Sequence, residues 1–204
     1  MSETVISSGI QSFDSQPGAV LPADYLEQRW YAAYTCANHE KRVREQLEQR
    51  SIESYLPLYE TVRRWKDRRM RLQLPLFPGY VFVRMVLVDR LRVLQVPSVV
   101  RIVGFNGHLA ALPDAEIEGL KNGLAGGVRA EPHPFLTAGR RVRIKAGSLQ
   151  GREGILIRRK GSLRVVLSID LIQRSIVVDV EVADIDPLTR VERNILPIAR
   201  TLED

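Results

Sequence analysis

A run of glycines and prolines at residues 125–139, AGGVRAEPHPFLTAG, divides the chain into two regions of different periodicity. On the N-terminal side, strand patterns alternate with helical patterns, whereas the C-terminal side holds only short strand patterns at regular spacing. Glycine and proline interrupt both helices and strands, so we interpret the run as a linker. The 204 residues suit two domains of about 80–120 residues each.

The segments flanking these two regions are predicted to be tails. The first residues are rich in Ser, Gln and Pro, a composition typical of chain that does not fold by itself. We predict a disordered tail at 1–29, an N-terminal domain at 30–125, a linker at 126–137, a C-terminal domain at 138–187 and a C-terminal tail at 188–204.

The N-terminal domain is predicted to mix strands with helices. WYAAYT, residues 30–35, alternates as a strand does, and a helix with a narrow apolar stripe at Val43 and Leu47 is expected to follow it. Asn38 is predicted to cap that helix, with Glu40 in its first turn. Further strands are predicted at 55–62, 80–86 and VVRIVGF, and further helices at 89–95 and 113–124.

The C-terminal domain is predicted to be a small antiparallel barrel. RVRIKA, the first of its strand patterns, points Val142 and Ile144 inward and Arg141, Arg143 and Lys145 outward. Later patterns are rich in β-branched residues, which favours a stable barrel over helices. The fold class is therefore α+β: an N-terminal α/β sandwich with an antiparallel sheet, followed by a small SH3-like β-barrel.

Much of the positive charge is concentrated in RRWKDRRMR, residues 63–71, which has six basic residues and one acidic residue. A charge run is most often a solvated face. Here arginines that can clamp phosphates stand beside a tryptophan that can stack on a base, so we favour a nucleic-acid contact. The predicted contact residues are Arg63, Arg64, Trp65, Lys66, Arg68 and Arg69.

The segment PLFPGYVFVRM, residues 75–85, places a Pro-Gly turn directly before a strand pattern. Phe77 and Tyr80 flank that turn. Aromatic side chains on a stiff turn can fill a core or be presented to a partner, and the residues themselves leave both interpretations open.

Few features of the sequence suggest catalysis. Cys36 is the single cysteine, lies in an apolar run and is expected to be a buried structural thiol. The three histidines lack partners at zinc-ligand spacing, and neither a phosphate-binding loop nor a dinucleotide fingerprint is present. We predict no enzyme, no cofactor and no metal site. A signal peptide and a membrane span are also not expected, which predicts a cytoplasmic protein.

Three motifs resemble one family. WYAAYT before a basic helix and LFPGYVFV after a basic hairpin resemble the N-terminal domain of the NusG family, and AGSLQGREG, residues 146–154, resembles the KOW motif. The resemblance covers about residues 30–187. It implies a monomeric bacterial transcription elongation factor whose first domain binds the clamp helices of RNA polymerase. By motif position, the polymerase contacts would be Tyr34, Arg42, Phe77 and Tyr80, and the basic hairpin would meet DNA of the transcription bubble.

The last hairpin of the KOW-like region departs from the general family pattern. An Ile-Phe-Gly-Arg-like stretch is replaced by IDLIQRS, with Ile172 at the aromatic position and Gln173 at the glycine position. This resembles specialised antitermination paralogues such as RfaH, UpxY and LoaP. Leu171 and Ile172 would bind a ribosomal small-subunit protein. The alternatives are a general factor that also assists Rho, and a ribosomal or RNA-binding KOW protein with no polymerase role.

Overall fold

The computed structural model describes residues 25–65, 68–136, 139–159 and 162–188. Those residues form an α+β fold of antiparallel sheets and helices, as predicted. The helices are α1 (Glu40–Gln49), α2 (Arg90–Leu94) and α3 (Asp114–Ala125). The strands are β1 (Arg29–Thr35), β2 (Glu53–Tyr55), β3 (Leu58–Trp65), β4 (Arg68–Pro75), β5 (Tyr80–Met85), β6 (Val99–Ile102), β7 (Gly104–Phe105), β8 (His108–Leu109), β9 (Ala130–His133), β10 (Arg141–Ile144), β11 (Glu153–Arg159), β12 (Ser162–Ile169), β13 (Arg174–Val180) and β14 (Ile185–Pro187).

The N-terminal sheet is buried on both faces, which explains the apolar character of its central strands. Its order is β2-β5-β1-β6, and β1 pairs antiparallel with β5 so that Tyr34 lies opposite Tyr80. Tyr31 and Val83 belong to the apolar cluster that includes Val43 of α1, whereas Trp30 and Phe82 belong to the cluster that includes α3. Alternate residues of each strand therefore supply two separate cores.

The start of α1 differs from the prediction. Asn38 adopts a φ of 63°, outside the helix, and His39 occupies the N-cap position without a capping side-chain hydrogen bond. Glu40 is buried, and its carboxylate turns to the Pro-Gly turn of the neighbouring segment. The predicted stripe is correct, since Val43 and Leu47 are fully buried.

Three further predictions need correction. The predicted strand VVRIVGF is two strands, β6 and β7, interrupted at Val103. The predicted strand at 55–62 is two strands, β2 and β3, interrupted at Leu56 and Pro57. Cys36 is exposed rather than buried, because β1 ends at Thr35 and the chain turns immediately afterwards. The apolar run in the sequence therefore continues one residue beyond the end of the buried strand.

The C-terminal region is β-rich, consistent with the predicted KOW domain. Its sheet has six strands in the order β14-β10-β11-β12-β13-β9. Val142 and Ile144 are buried and Arg141 and Arg143 are exposed, as the alternation predicted. Strand β9 lies inside the predicted linker and pairs with β13, so the unpaired connection from α3 is limited to residues 126–129.

Candidate functional site

The Pro-Gly turn after β4 is held in place from two sides. The Gly79 N–H donates to the buried Glu40 carboxylate at 2.7 Å, and the Gly79 carbonyl accepts from the Thr35 N–H at 2.8 Å. Gly79 has a φ of 86°, and a Cβ there would lie 3.3 Å from the Tyr34 ring. The position therefore requires glycine, and the turn has little freedom left to lose when it binds a partner.

The turn gathers three of the four predicted polymerase contacts. The Tyr34 and Tyr80 ring centroids lie 5.4 Å apart, and Phe77 packs edge-on against Phe82 with centroids 5.6 Å apart. Phe77 is 1% exposed and Tyr80 is 8% exposed, while Tyr34 is half-buried. We call Tyr34, Phe77 and Tyr80 the aromatic surface.

The arginine that lies against Tyr34 is Arg101, and not the predicted Arg42. Arg42 is exposed on α1. Arg101, which sequence reasoning missed, places its guanidinium 5.5 Å from the Tyr34 ring centroid. The pairing of β1 with β6 sets Arg101 opposite Tyr34, a register that local periodicity does not reveal.

The C-terminal domain packs onto the aromatic surface. The Arg174 guanidinium lies 5.6 Å from the Tyr80 ring centroid. Phe77 lines a gap of about 10 Å³ together with side chains of the C-terminal domain, Leu149, Leu167, Ile169 and Ile176. A gap of that volume holds at most one water molecule, so the two domains meet in close contact. These aromatic residues therefore fill a core, but that core lies between the two domains. The same side chains would face a partner if the domains separated.

The predicted partner-binding residues of the C-terminal domain are next to Arg174, which contacts Tyr80. Ile172 is 4% exposed and Leu171 is half-buried, and both belong to the cluster that contains Phe77 and Tyr80. We call residues 170–174 the covering turn. Gln173 adopts a φ of 49°, so this position keeps a left-handed conformation although it is not glycine.

A second contact between the domains joins α3 to the loop before β11. Arg152 donates a hydrogen bond to the Ala115 carbonyl at 3.2 Å. A Cβ at Gly119 would lie 3.0 Å from Arg152 Cδ, and a Cβ at Gly123 would lie 3.0 Å from Leu149 Cγ. Each interior glycine disfavours a helix by about 1 kcal/mol relative to alanine. The loop packs so closely against both positions that larger side chains would not fit, which explains the two glycines.

One titratable group lies in the contact between the domains. Burial raises the pKa of the Glu116 carboxyl, Arg152 opposes that shift and the nearby Asp170 carboxylate adds to it. Glu116 lines the same gap as Phe77. A carboxyl group in this position favours its neutral form more than an exposed one does.

The basic hairpin, β3 and β4, stands apart from the domain contact as a separate two-stranded sheet. Arg64 lies opposite Arg69, and Arg63 lies opposite Met70. Arg63, Arg64, Arg68 and Arg69 are exposed. Like charges directly opposite each other destabilise a sheet. These arginines therefore do not help the hairpin to fold, and their placement favours binding of a polyanionic partner.

Part of the predicted nucleic-acid contact falls outside this description. Lys66 and the side chain of Trp65 lie outside the part of the chain that the structure describes. In the backbone register Trp65 pairs with Arg68 at the end of the hairpin.

The described residues show neither a metal site nor a membrane helix. They contain no group of three or more His, Cys, Asp or Glu residues that could hold a metal ion. In the same part of the chain, every helix is too short or too polar to cross a membrane.

Comparisons with known proteins point to transcription. Residues 28–121 match a family model described as "Transcription termination factor nusG". The transcription termination/antitermination protein NusG of Lactococcus lactis is 28% identical over 178 residues, 80% of this chain and 95% of that protein. The protein of the same name from Escherichia coli K12 is 29% identical over 160 residues, 70% of this chain and 88% of that protein.

A solved structure supports the fold. The structure titled "Domain interaction in Thermotoga maritima NusG" aligns with a TM-score of 0.52 at 23% identity, over 81% of this chain and 99% of that one. The likeness therefore extends across the N-terminal domain and the β-rich C-terminal region.

Proposed function

Because this chain belongs to the NusG family, we propose that it is a specialised, non-enzymatic transcription elongation and antitermination factor. In this proposal it acts as a monomer, and its aromatic surface binds the clamp helices of RNA polymerase. The basic hairpin contacts DNA of the transcription bubble. Leu171 and Ile172 bind a ribosomal small-subunit protein.

The observation that carries the proposal is the fixed aromatic surface. Phe77 and Tyr80 flank a turn that two hydrogen bonds of the Gly79 backbone hold in place, and Tyr34 of β1 packs on Tyr80. Large rigid aromatic side chains are typical anchors of protein interfaces, because they bury much apolar area with little loss of entropy. Arg101 beside Tyr34 adds a cation at the rim, where it could pair with an acidic partner.

Polymerase binding through this surface requires the two domains to separate. Phe77 and Tyr80 are almost completely covered, and the covering turn contributes to that burial. A ligand that binds only the separated form shifts the population toward it, and its apparent affinity falls by the fraction that is separated. The closed arrangement is therefore expected to bind polymerase weakly until it opens.

The specialised form of the proposal rests on the covering turn. Ile172 has less area than the aromatic side chain of the general pattern, so a Rho surface shaped for an aromatic ring would lose complementarity. Gln173 nevertheless keeps a left-handed φ of 49°, so the backbone shape of the turn does not argue against a general factor. The side chain at position 172 is thus the feature that favours the specialised form.

Transcription in vitro on a Rho-dependent terminator tests the proposal. We expect increased readthrough and no stimulation of Rho when the protein is added to polymerase. Earlier termination in the presence of Rho would overturn the specialised form and favour the general factor. Failure to bind polymerase under any condition would favour the ribosomal or RNA-binding alternative.

A further inference from the structure

A groove opens in the C-terminal domain between the loop that follows β10 and the paired strands β12 and β13. Its volume is about 550 Å³, and binding sites usually have volumes of about 300–1,000 Å³. Leu163 and Val180 lie directly opposite each other on the two strands, and both are only half-buried. Together with Ile144 and Leu149 they give the groove an apolar floor. Apolar surface left open in this way, and surrounded by polar residues, is typical of a binding site.

The rim of the groove is negatively charged. Among the described residues that line it, none is basic and three are acidic: Asp179, Glu181 and Asp184. The Asp179 carboxylate is paired with Arg164 at 2.7 Å. Within the part of the chain that the structure describes, Glu181 and Asp184 form no ion pair. We call this groove, with its apolar floor and acidic rim, the acidic groove.

The chemistry of the acidic groove restricts what it binds. Its negative rim repels nucleic acid and acidic segments, and its apolar floor provides area for aliphatic side chains. A fitting occupant therefore combines aliphatic residues with positive charges beside them.

The chain itself contains a segment of that chemistry. Residues 189–204 lie outside the described residues, and within them RNILPIAR, residues 193–200, has an arginine at each end, an apolar middle and no acidic residue. Pro197 favours an extended backbone at Leu196. Side chains two residues apart in an extended chain point to the same side, so Leu196 and Ile198 can face one surface together.

This segment begins within reach of the acidic groove. The N–H of Leu188, the last described residue, donates to the Arg141 carbonyl, and β14 begins at Ile185 opposite Ile144 of the apolar floor. The three residues from Ile185 to Leu188 cover about 10 Å of strand, whereas the four residues 189–192 span up to about 14 Å when extended. A tether this short gives a high effective concentration, so modest complementarity is enough for docking.

We propose that the acidic groove is the docking site of this chain's own C-terminal segment, residues 193–200. Leu196 and Ile198 pack on the apolar floor, and Arg193 and Arg200 pair with carboxylates of the rim. Exposed ion pairs contribute little individually, so the apolar contact provides most of the affinity and the arginines fix the orientation. A partner protein that uses the acidic groove must displace this segment. The docking does not depend on the proposed function.

Paramagnetic NMR on the full-length chain tests the docking. Thr201→Cys carries a spin label directly after the segment, and Cys36→Ser removes the exposed native thiol. The amide signals of Ala146, Gly147 and Glu181, which line the acidic groove, should be lost while the label is oxidised and should return when it is reduced. Retention of these signals with the oxidised label would overturn the docking and leave the groove to a partner protein.

Charge reversal tests the pairing with the rim. In the spin-labelled chain, Arg193→Glu with Arg200→Glu should restore the amide signals, because the segment is then repelled by the rim. Adding Glu181→Arg with Asp184→Arg should abolish the signals again. Signal loss that persists after the reversal in the segment alone would overturn the proposed charge pairing.

Further variants test specificity. Arg90→Glu with Arg92→Glu makes the same change of charge at exposed positions of α2 and is the matched control, in which the signals should remain lost. Leu196→Asp should restore them, because an apolar floor disfavours a carboxylate, and continued loss would overturn the contact with the floor. Signal loss in isotope-labelled chain mixed with separate spin-labelled chain would assign the segment to a second copy and overturn docking within one molecule.

Discussion

The N-terminal domain has two candidate binding surfaces, of which one is covered and the other is exposed to solvent. The aromatic surface is covered by the C-terminal domain, with Phe77 only 1% exposed, whereas the arginines of the basic hairpin are exposed to solvent. The covered surface is apolar and fixed by buried hydrogen bonds. The exposed surface carries like charges that oppose its own pairing. Under the proposed function, closure therefore controls access to the aromatic surface, while the basic hairpin stays accessible to DNA whether the domains are closed or open.

The largest expected effect follows from Phe77→Ala. The ring packs on Phe82 and against the C-terminal domain, so its loss should lower the free energy of unfolding by about 3–5 kcal/mol. Polymerase affinity should fall by about 2 kcal/mol or more, whereas affinity for DNA should not change. Chemical denaturation and binding assays measure these quantities. If folded Phe77→Ala protein bound polymerase normally, Phe77 would be a core residue only.

The second prediction concerns the salt dependence of DNA binding by the basic hairpin. Replacing Arg64 and Arg69 by glutamine should reduce the slope of log affinity for duplex DNA against log salt by about 2, because two phosphate contacts are lost. Polymerase binding without DNA should not change. Arg90→Gln with Arg92→Gln removes the same charge from α2 and is the matched control. An equal fall in slope for both pairs would show that net charge, and not the hairpin, attracts DNA.

The pH dependence of closure is expected to depend on Glu116. Burial raises the pKa of this carboxyl above its ordinary value of 4.5, and the groups that face it are Arg152 and Asp170. A raised pKa means that the closed form binds the proton more tightly than the open form. The stabilisation is therefore complete below pH 4.5 and is lost as the pH rises through the raised pKa.

Scattering measured across that pH range checks this expectation. The native chain should become more compact as the pH falls, whereas Glu116→Gln should remain compact throughout, since the amide cannot ionise. Glu118→Gln, at an exposed position on the same helix, is the control and should behave like the native chain. A pH response that persists in Glu116→Gln would assign the effect to another group.

The smallest expected effect concerns the covering turn. Gln173 has a φ of 49°, and left-handed backbone costs a non-glycine residue about 1 kcal/mol. Gln173→Gly should therefore raise the free energy of unfolding by up to about 1 kcal/mol. Gln95→Gly, where φ is −78°, should instead lower it, because glycine there only adds freedom to the unfolded chain. If both changes lowered the free energy of unfolding, contacts of the Gln173 side chain would contribute more stability than its left-handed backbone costs.

Local pattern was enough to predict much of the fold. The alternation around Val142 and Ile144 and the helix at α3 are confirmed, because side chains on one face of an element are buried together whatever that face contacts. The failures occur where an element ends or is interrupted, as at Leu56 and Pro57 within the predicted strand at 55–62. Asn38 is left-handed outside α1 and Cys36 is exposed beyond β1, and both outcomes depend on where the chain must turn.

The candidate site was less predictable, because its state depends on contacts distant in sequence. An aromatic residue on a turn gives the same sequence signal whether it fills a core or awaits a partner, and Phe77 does the first in the closed arrangement. The hydrogen bond from Gly79 to Glu40 depends on how α1 packs against the turn, and the approach of Arg101 to Tyr34 depends on the pairing of β1 with β6. Interior glycines of α3 were a signal that could have been noticed, since Gly119 and Gly123 weaken a helix without a local reason.

The central claim is that closure hides the aromatic surface and leaves the basic hairpin free. A reversible cross-link between the domains can test it: Gly126→Cys with Ser148→Cys, in a chain with Cys36→Ser so that the exposed native thiol does not interfere. The two Cβ atoms would start 2.7 Å apart, so a shift of about 1 Å allows ordinary disulfide geometry.

The decisive measurement compares polymerase and DNA binding by this cross-linked protein before and after reduction. The account predicts that the oxidised form loses polymerase binding and regains it on reduction, while DNA binding by the hairpin is the same in both forms. Equal polymerase binding by the oxidised and reduced forms would contradict the account, because a surface that closure covers could not then be the one that polymerase uses.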